Sequence, residues 1–225
     1  MRLLPAALVL FIATILGAPA HAASGGFALG FKLGYGVPTG SVAKDATTGS
    51  TNLPLSDELS GKLPLDLDVG YFVTPQLFVG TSFQIAYGLV NDQRAFSPGA
   101  CTGTGSSCSG TDLRVGLVST FRFGTDDYFE PWVGLGVGYE WTKLHGEDAT
   151  GSGDMTLRGF DLALQVGGDF SVSSTVSFGP YVAYNVGQYR SMDISSGSFS
   201  DGGEIPKKAF HGWFQVGMRG TFGPW

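Results

Sequence analysis

Charge is scarce in this chain of 225 residues. Asp, Glu, Lys and Arg make up 14%, where a soluble domain usually carries about 25%. Positive charge is scarcer than negative, with 13 Lys and Arg against 19 Asp and Glu and a net charge of −6. No basic run exceeds Lys207-Lys208, so the sequence lacks the basic face that nucleic acid requires. Histidine appears three times and cysteine twice. That inventory argues against a zinc cluster, which needs several such ligands at close spacing. No phosphate-binding glycine loop is present, and Glu147, Asp148 and Asp154 lack the spacing of a calcium loop. After the first 20 or so residues, no unbroken apolar run is long enough for a membrane-crossing helix. No cofactor is expected.

Glycine is abundant, at 36 residues, without the three-residue period of collagen. The N-terminus reads MRLLPAALVLFIATILGAPAHAAS. Arg2, a short apolar segment and the small-x-small site Ala20-His21-Ala22 form a secretory signal. Residues 1–22 are expected to be removed, leaving one domain over 23–225. The remaining net charge is 12 − 19 = −7, because Arg2 goes with the signal. Cys101 and Cys108 lie in GACTGTGSSCSG. In an exported protein this spacing reads as a disulfide. It closes a short loop and contributes ~2.5 kcal/mol on the chain-entropy relation.

Period-two alternation recurs eight times. The clearest case is PWVGLGVGYEW, where Val133, Leu135, Val137, Tyr139 and Trp141 alternate with Gly134, Gly136, Gly138 and Glu140. The other runs are 27–37, 63–71, 77–89, 113–123, 159–170, 176–187 and 210–222. Their links alternate in length. Long ones span 38–62, 91–111, 143–156 and 190–209, and short ones span 73–76, 124–130 and 171–175. Strands paired with their sequence neighbours connect in this way when they rise and fall in turn. The pattern predicts an all-β fold, an eight-stranded antiparallel up-and-down transmembrane β-barrel with both termini periplasmic. The long links, rich in Gly, Ser, Thr and Asp, are expected to be solvated and mobile.

The minor face decides the orientation. A water-facing strand surface carries Lys, Glu, Thr and Arg freely, whereas here that face is mostly Gly, Ala and Ser with isolated charges. Such a face suits a narrow lumen, which side chains of an eight-stranded barrel just fill. The large apolar face then meets lipid. Inside, four positive charges, Lys32, Arg114, Arg122 and Arg219, nearly cancel five negative ones, Asp66, Asp68, Glu140, Asp161 and Asp169. Lys32 is expected to pair with Asp66 or Asp68, and Arg114 with Glu140. A structural plug is the expectation for this network, rather than a gate. Aromatics gather at both strand ends: Phe27, Tyr71, Phe123, Phe129 and Phe222 at the tight-turn end, and Tyr35, Tyr87, Tyr139, Trp141 and Tyr184 at the other. From Phe129 to Trp141 the chain covers ~40 Å along the strand, or ~30 Å after tilting, which crosses a bilayer.

With the signal, the PWVGLGVGYEW strand, SFGPYVAYNVG and the closing FQVGMRGTF, the chain resembles the OmpA/OmpX-type eight-stranded outer-membrane barrels of Gram-negative bacteria. FQVGMRGTF is similar to the C-terminal signal read by the barrel-assembly machinery, although Gly223-Pro224-Trp225 follow its last aromatic. The resemblance implies outer-membrane lipid and lipopolysaccharide as surroundings, periplasmic chaperones as escorts, and extracellular ligands reached through loops. The four long links at one end are expected to be surface loops on a non-catalytic anchor serving envelope structure or surface interaction, and the lumen glycines give the alternative, a narrow channel for small or apolar solutes. A lipid A deacylase among such barrels would need a His-x-Ser pair with an acid near the membrane edge. The one strand histidine, His211, is followed at position 213 by Trp.

Overall fold

The computed structural model describes residues 26–44, 52–91, 101, 105–123, 128–148, 151–197 and 199–223. The expected signal, residues 1–22, and the terminal Pro224-Trp225 lie outside the described residues.

Ten strands and one helical turn follow in chain order: β1 (Phe27–Lys44), β2 (Asn52–Pro54), α1 (Leu55–Glu58), β3 (Leu59–Phe72), β4 (Leu77–Val90), β5 (Ser107–Arg122), β6 (Phe129–Asp148), β7 (Gly151–Ser173), β8 (Val176–Ser196), β9 (Phe199–Glu204) and β10 (His211–Phe222). Eight of them close a ring. β1 pairs with β3, each strand from β3 to β8 pairs with the next, and β10 joins β8 to β1. All these pairings are antiparallel, and closure removes the exposed edges an open sheet would leave. The ring of eight antiparallel strands is the architecture predicted from the alternation.

Orientation follows from exposure. Lys32 is 2% exposed while the adjacent Leu33 is 62% exposed. Gln84 is 3% exposed, between Phe83 at 45% and Ile85 at 53%. Through most of the barrel's height, charged and small residues point inward and large apolar residues point out. A water-soluble barrel has the opposite arrangement.

Strands at the wide end are longer than the alternation suggested. β6 and β7 pair from Phe129↔Phe170 through to Asp148↔Gly151, so most of the segment expected as a loop over 143–156 is strand. β8 likewise runs to Ser196 and carries β9 as an added hairpin partner. The reason is an inversion of polarity. Along β6 the outward residues change from Val137, Tyr139 and Trp141 to Lys143, His145 and Glu147, while the inward residues change from Gly138 and Glu140 to Leu144. Beyond Thr142 the interior of the barrel becomes apolar, and from Lys143 onward its outer face becomes polar. A reading based on one constant polarity loses the strand at that level, although the backbone pairing continues.

Candidate functional site: the filled lumen and the outer mouth

The interior is stacked in layers. At the tight-turn end Ala28, Phe72, Phe78 and Val118 form a buried apolar cluster, with the Phe72 and Phe78 rings 5.5 Å apart. Beside it the Arg122 guanidinium lies 4.3 Å from the Phe72 ring and 3.3 Å from a Glu130 carboxylate oxygen. Arg219 sits 4.2 Å over Trp132 and 3.7 Å from Asp169, and the Trp132 indole donates to Asp169 at 3.0 Å.

In the middle layer Lys32 forms an ion pair with Asp68 at 2.9 Å and donates to Gln165 at 3.0 Å. Asp66, directly opposite Lys32 in the β1–β3 register, instead accepts from the Gln84 amide at 2.8 Å. Arg114 and Glu140 are likewise opposite in the β5–β6 register, yet the expected pair between them does not form. Arg114 donates through Nε to Asp161 at 2.7 Å. The route passes over Gly138. A Cβ there would stand 2.6 Å from Asp161 Oδ1 and 2.7 Å from Arg114 Nε. The bare glycine lets the guanidinium span β6 and reach β7, which accounts for the glycine at position 138.

Glu140 pairs with His211. The imidazole is stacked on the Tyr189 ring, with centroids 3.8 Å apart and planes 5° from parallel. The Tyr189 hydroxyl lies 3.0 Å from that of Thr142, which also donates to Asp112 at 3.1 Å. Asp112 holds the Lys62 ammonium, which donates to Gln84 at 3.1 Å and lies 4.4 Å from the Trp213 ring. Lys62 is missing from the expected network because it was the last residue of the link 38–62, and Asp112 because it lay one residue before the run that begins at Leu113. Their parity with Asp66 and Arg114 was the available signal. One is positive and one negative, so the charge balance is kept.

Above this layer Val42, Leu55, Leu59, Leu144, Leu157, Ile205 and Trp213 form a second apolar cluster. The helical turn α1 brings Leu55 into it, fully buried. Apolar clusters therefore cap the charged layers at both ends. Around Lys32, Arg114, Gln165 and Tyr181 the packing leaves no room for a water molecule.

Two features mark the mouth at the wide end. A cavity of about 550 Å³ opens between β1–β2 and β8–β9, lined by Leu53, Met192, Ile194 and Ile205 together with Lys44, Asp201 and Glu204. Cys101 and Cys108 are joined as a disulfide. On the outer surface, Asp154 accepts from His145 at 2.9 Å and lies 3.1 Å from Lys143. The hydrogen bond from His145 and then that from Lys143 hold its carboxyl below the usual carboxylate range. Among the described residues, no group of three or more His, Cys, Asp or Glu is arranged to hold a metal ion.

No protein-family model matches the chain, and no curated protein matches it in sequence. Solved structures do match in three dimensions. Outer membrane protein AlkL, solved by solid-state NMR in lipid bilayers, matches at 17% identity and a TM-score of 0.52, over 92% of this chain and 95% of that one. OprG of Pseudomonas aeruginosa matches at 17% identity and 0.52, over 88% and 96%. A major outer membrane protein of Thermus thermophilus matches at 11% identity and 0.51, over 89% and 100%. At such identities the likeness is one of fold, and together with the closed ring and its outward apolar face it shows that this chain has the fold of an outer-membrane β-barrel.

Proposed function

We propose that the chain is an integral, non-catalytic protein of a Gram-negative outer membrane, exported through a cleaved signal and closed to solutes along its axis. The observation that carries this reading is the outward apolar belt around a lumen filled with paired charges and capped by apolar clusters. An outward Leu or Phe belt is unfavourable in water and favourable against acyl chains. The tight-turn end with both termini faces the periplasm. The wide end stands outside the cell. There β6 continues seven residues beyond Trp141, which adds roughly 18 Å of tilted wall.

In this reading the barrel anchors a tall extracellular extension that contacts ligands or neighbouring surfaces. The Glu140–His211 pair is buried on both sides, so it holds the plug together and meets no substrate. Assembly is assigned to the barrel-assembly machinery and periplasmic chaperones, with outer-membrane lipid and lipopolysaccharide as surroundings. The alternative role, passage of small apolar solutes, draws support from the apolar cavity at the mouth. The charged layers beneath that cavity oppose it. Single-channel recording on the purified protein in planar bilayers separates the two. The plug predicts a closed trace at all voltages, and discrete conductance steps would favour the channel.

A further inference from the structure

The described basic residues divide by position. Lys32, Lys62, Arg114, Arg122 and Arg219 lie inside the barrel, and Lys44, Lys207 and Lys208 lie at the mouth. The remaining three, Lys143, Arg158 and Arg190, point outward on the adjacent strands β6, β7 and β8. No other outward strand face in the described ring carries Lys or Arg below the mouth.

These three side chains stand above an aromatic patch. Arg158 is opposite Trp141 in the β6–β7 register. Tyr139 packs edge-on against Trp141 at 4.7 Å and against Phe160 at 4.8 Å. The β7–β8 register steps from Gly159↔Tyr189 to Arg158↔Ser191, leaving Arg190 as an extra residue. Such a bulge re-aims a side chain. Here it sets the Arg190 guanidinium 5.8 Å from the Phe160 ring. Asp154 steadies Lys143 at 3.1 Å, and Asp193 steadies Arg158 at 3.0 Å. Arg190 has no carboxylate partner among the described residues. Within these contacts three cations meet two carboxylates, so Arg190 is the cation left over; the outward Glu147 stands four residues beyond Lys143 on β6, and Glu204 on β9 is opposite Ser191.

We propose that this outward face of β6–β8 binds the phosphorylated headgroup of an outer-leaflet glycolipid, an inference that rests on the membrane reading above. Guanidinium groups match phosphate oxygens in a two-pronged geometry. Basic side chains just beyond the hydrocarbon attract anionic headgroups, and aromatic rings occupy the interface beneath them. A lipid satisfies both parts of the site at once, with phosphate at the cations and acyl chains along Tyr139, Trp141 and Phe160. A free phosphate ion would use only the upper part.

The test reconstitutes the full chain in phosphatidylcholine vesicles containing either bisphosphorylated lipid A or its dephosphorylated form, and follows thermal unfolding by gel mobility. The phosphorylated lipid is expected to raise the midpoint and the dephosphorylated lipid to leave it unchanged. Arg158→Gln and Arg190→Gln are each expected to weaken apparent lipid affinity about fivefold, and Arg190→Lys to retain most of it. Lys208→Gln, at the mouth, is expected to behave as wild type. Equal midpoints with both lipids, or full binding by the Arg158→Gln/Arg190→Gln double variant, would overturn the proposal while leaving the membrane reading intact. An equal shift from inorganic phosphate alone would also overturn it, by assigning the patch to a free anion. Failure of the wild-type chain to enter vesicles would remove the membrane reading and this site with it.

Discussion

Arg114 on β5 reaches Asp161 on β7 at 2.7 Å by crossing the backbone of β6 at Gly138. Two strands that share no ladder are thereby tied inside the barrel. Asp161→Ala leaves the guanidinium buried without its partner, and a buried pair broken on one side loses about 3–5 kcal/mol. Gly138→Leu blocks the crossing and should destabilise as well. Joint replacement by Arg114→Met and Asp161→Leu should recover most of the loss. Urea unfolding in lipid vesicles measures all three.

The polarity inversion along β6 makes the effect of a charge depend on height. Leu135 and His145 both point outward on this strand. Leu135→Arg places a charge against the centre of the hydrocarbon and should cost about 2–4 kcal/mol. His145→Arg, beyond Trp141, should change stability by no more than about 0.5 kcal/mol. Equal effects at the two positions would contradict the boundary drawn at Trp141.

Asp154 supplies a pH signature outside the membrane. Its folded carboxyl titrates below the ordinary value of 3.8 because His145 and Lys143 hydrogen-bond the charged form. A depressed folded pKa contributes stability above the unfolded value and loses it as pH falls through the folded one. The contribution is therefore present at neutral pH and disappears on acidification below about pH 4. Asp154→Asn should flatten that part of the acid-unfolding curve. NMR titration of the carboxyl carbon checks the direction, and an elevated midpoint would refute it.

The Cys101–Cys108 bridge closes only the β4–β5 connection. Replacing both cysteines by serine should lower stability by no more than ~2.5 kcal/mol. The folded, heat-modifiable species should still form. Proteolysis between β4 and β5 should become faster while the eight-stranded core stays resistant.

Much of this architecture was legible in the alternation. One face of each strand carried large apolar residues and the other carried glycine with sparse charges, which set both the strand count and the inward side. What escaped had two physical causes. Above Trp141 both faces change environment, so Leu144 and Leu157 point inward at a level that was not read as strand, and the strand ends were drawn too early. Inside the lumen, long side chains choose diagonal partners. Register places Glu140 opposite Arg114, yet the space over Gly138 sends Arg114 to Asp161 and leaves Glu140 to His211. Pairing of that kind depends on the empty volume between strands, which no single strand's pattern reveals. Lys62 and Asp112 escaped because the strand ends were drawn too early: Lys62 closed the link 38–62, and Asp112 fell just before the run 113–123.

Orientation in the bilayer is the claim on which everything else stands. Single reporter cysteines at Leu135 and Phe83, and at Gln84 and Gly136, carry a fluorophore in vesicles containing brominated lipid. Quenching is expected to be strong at 135 and 83 and weak at 84 and 136. Strong quenching at 84 and 136, with water-soluble reagents reaching 135 and 83, would contradict it.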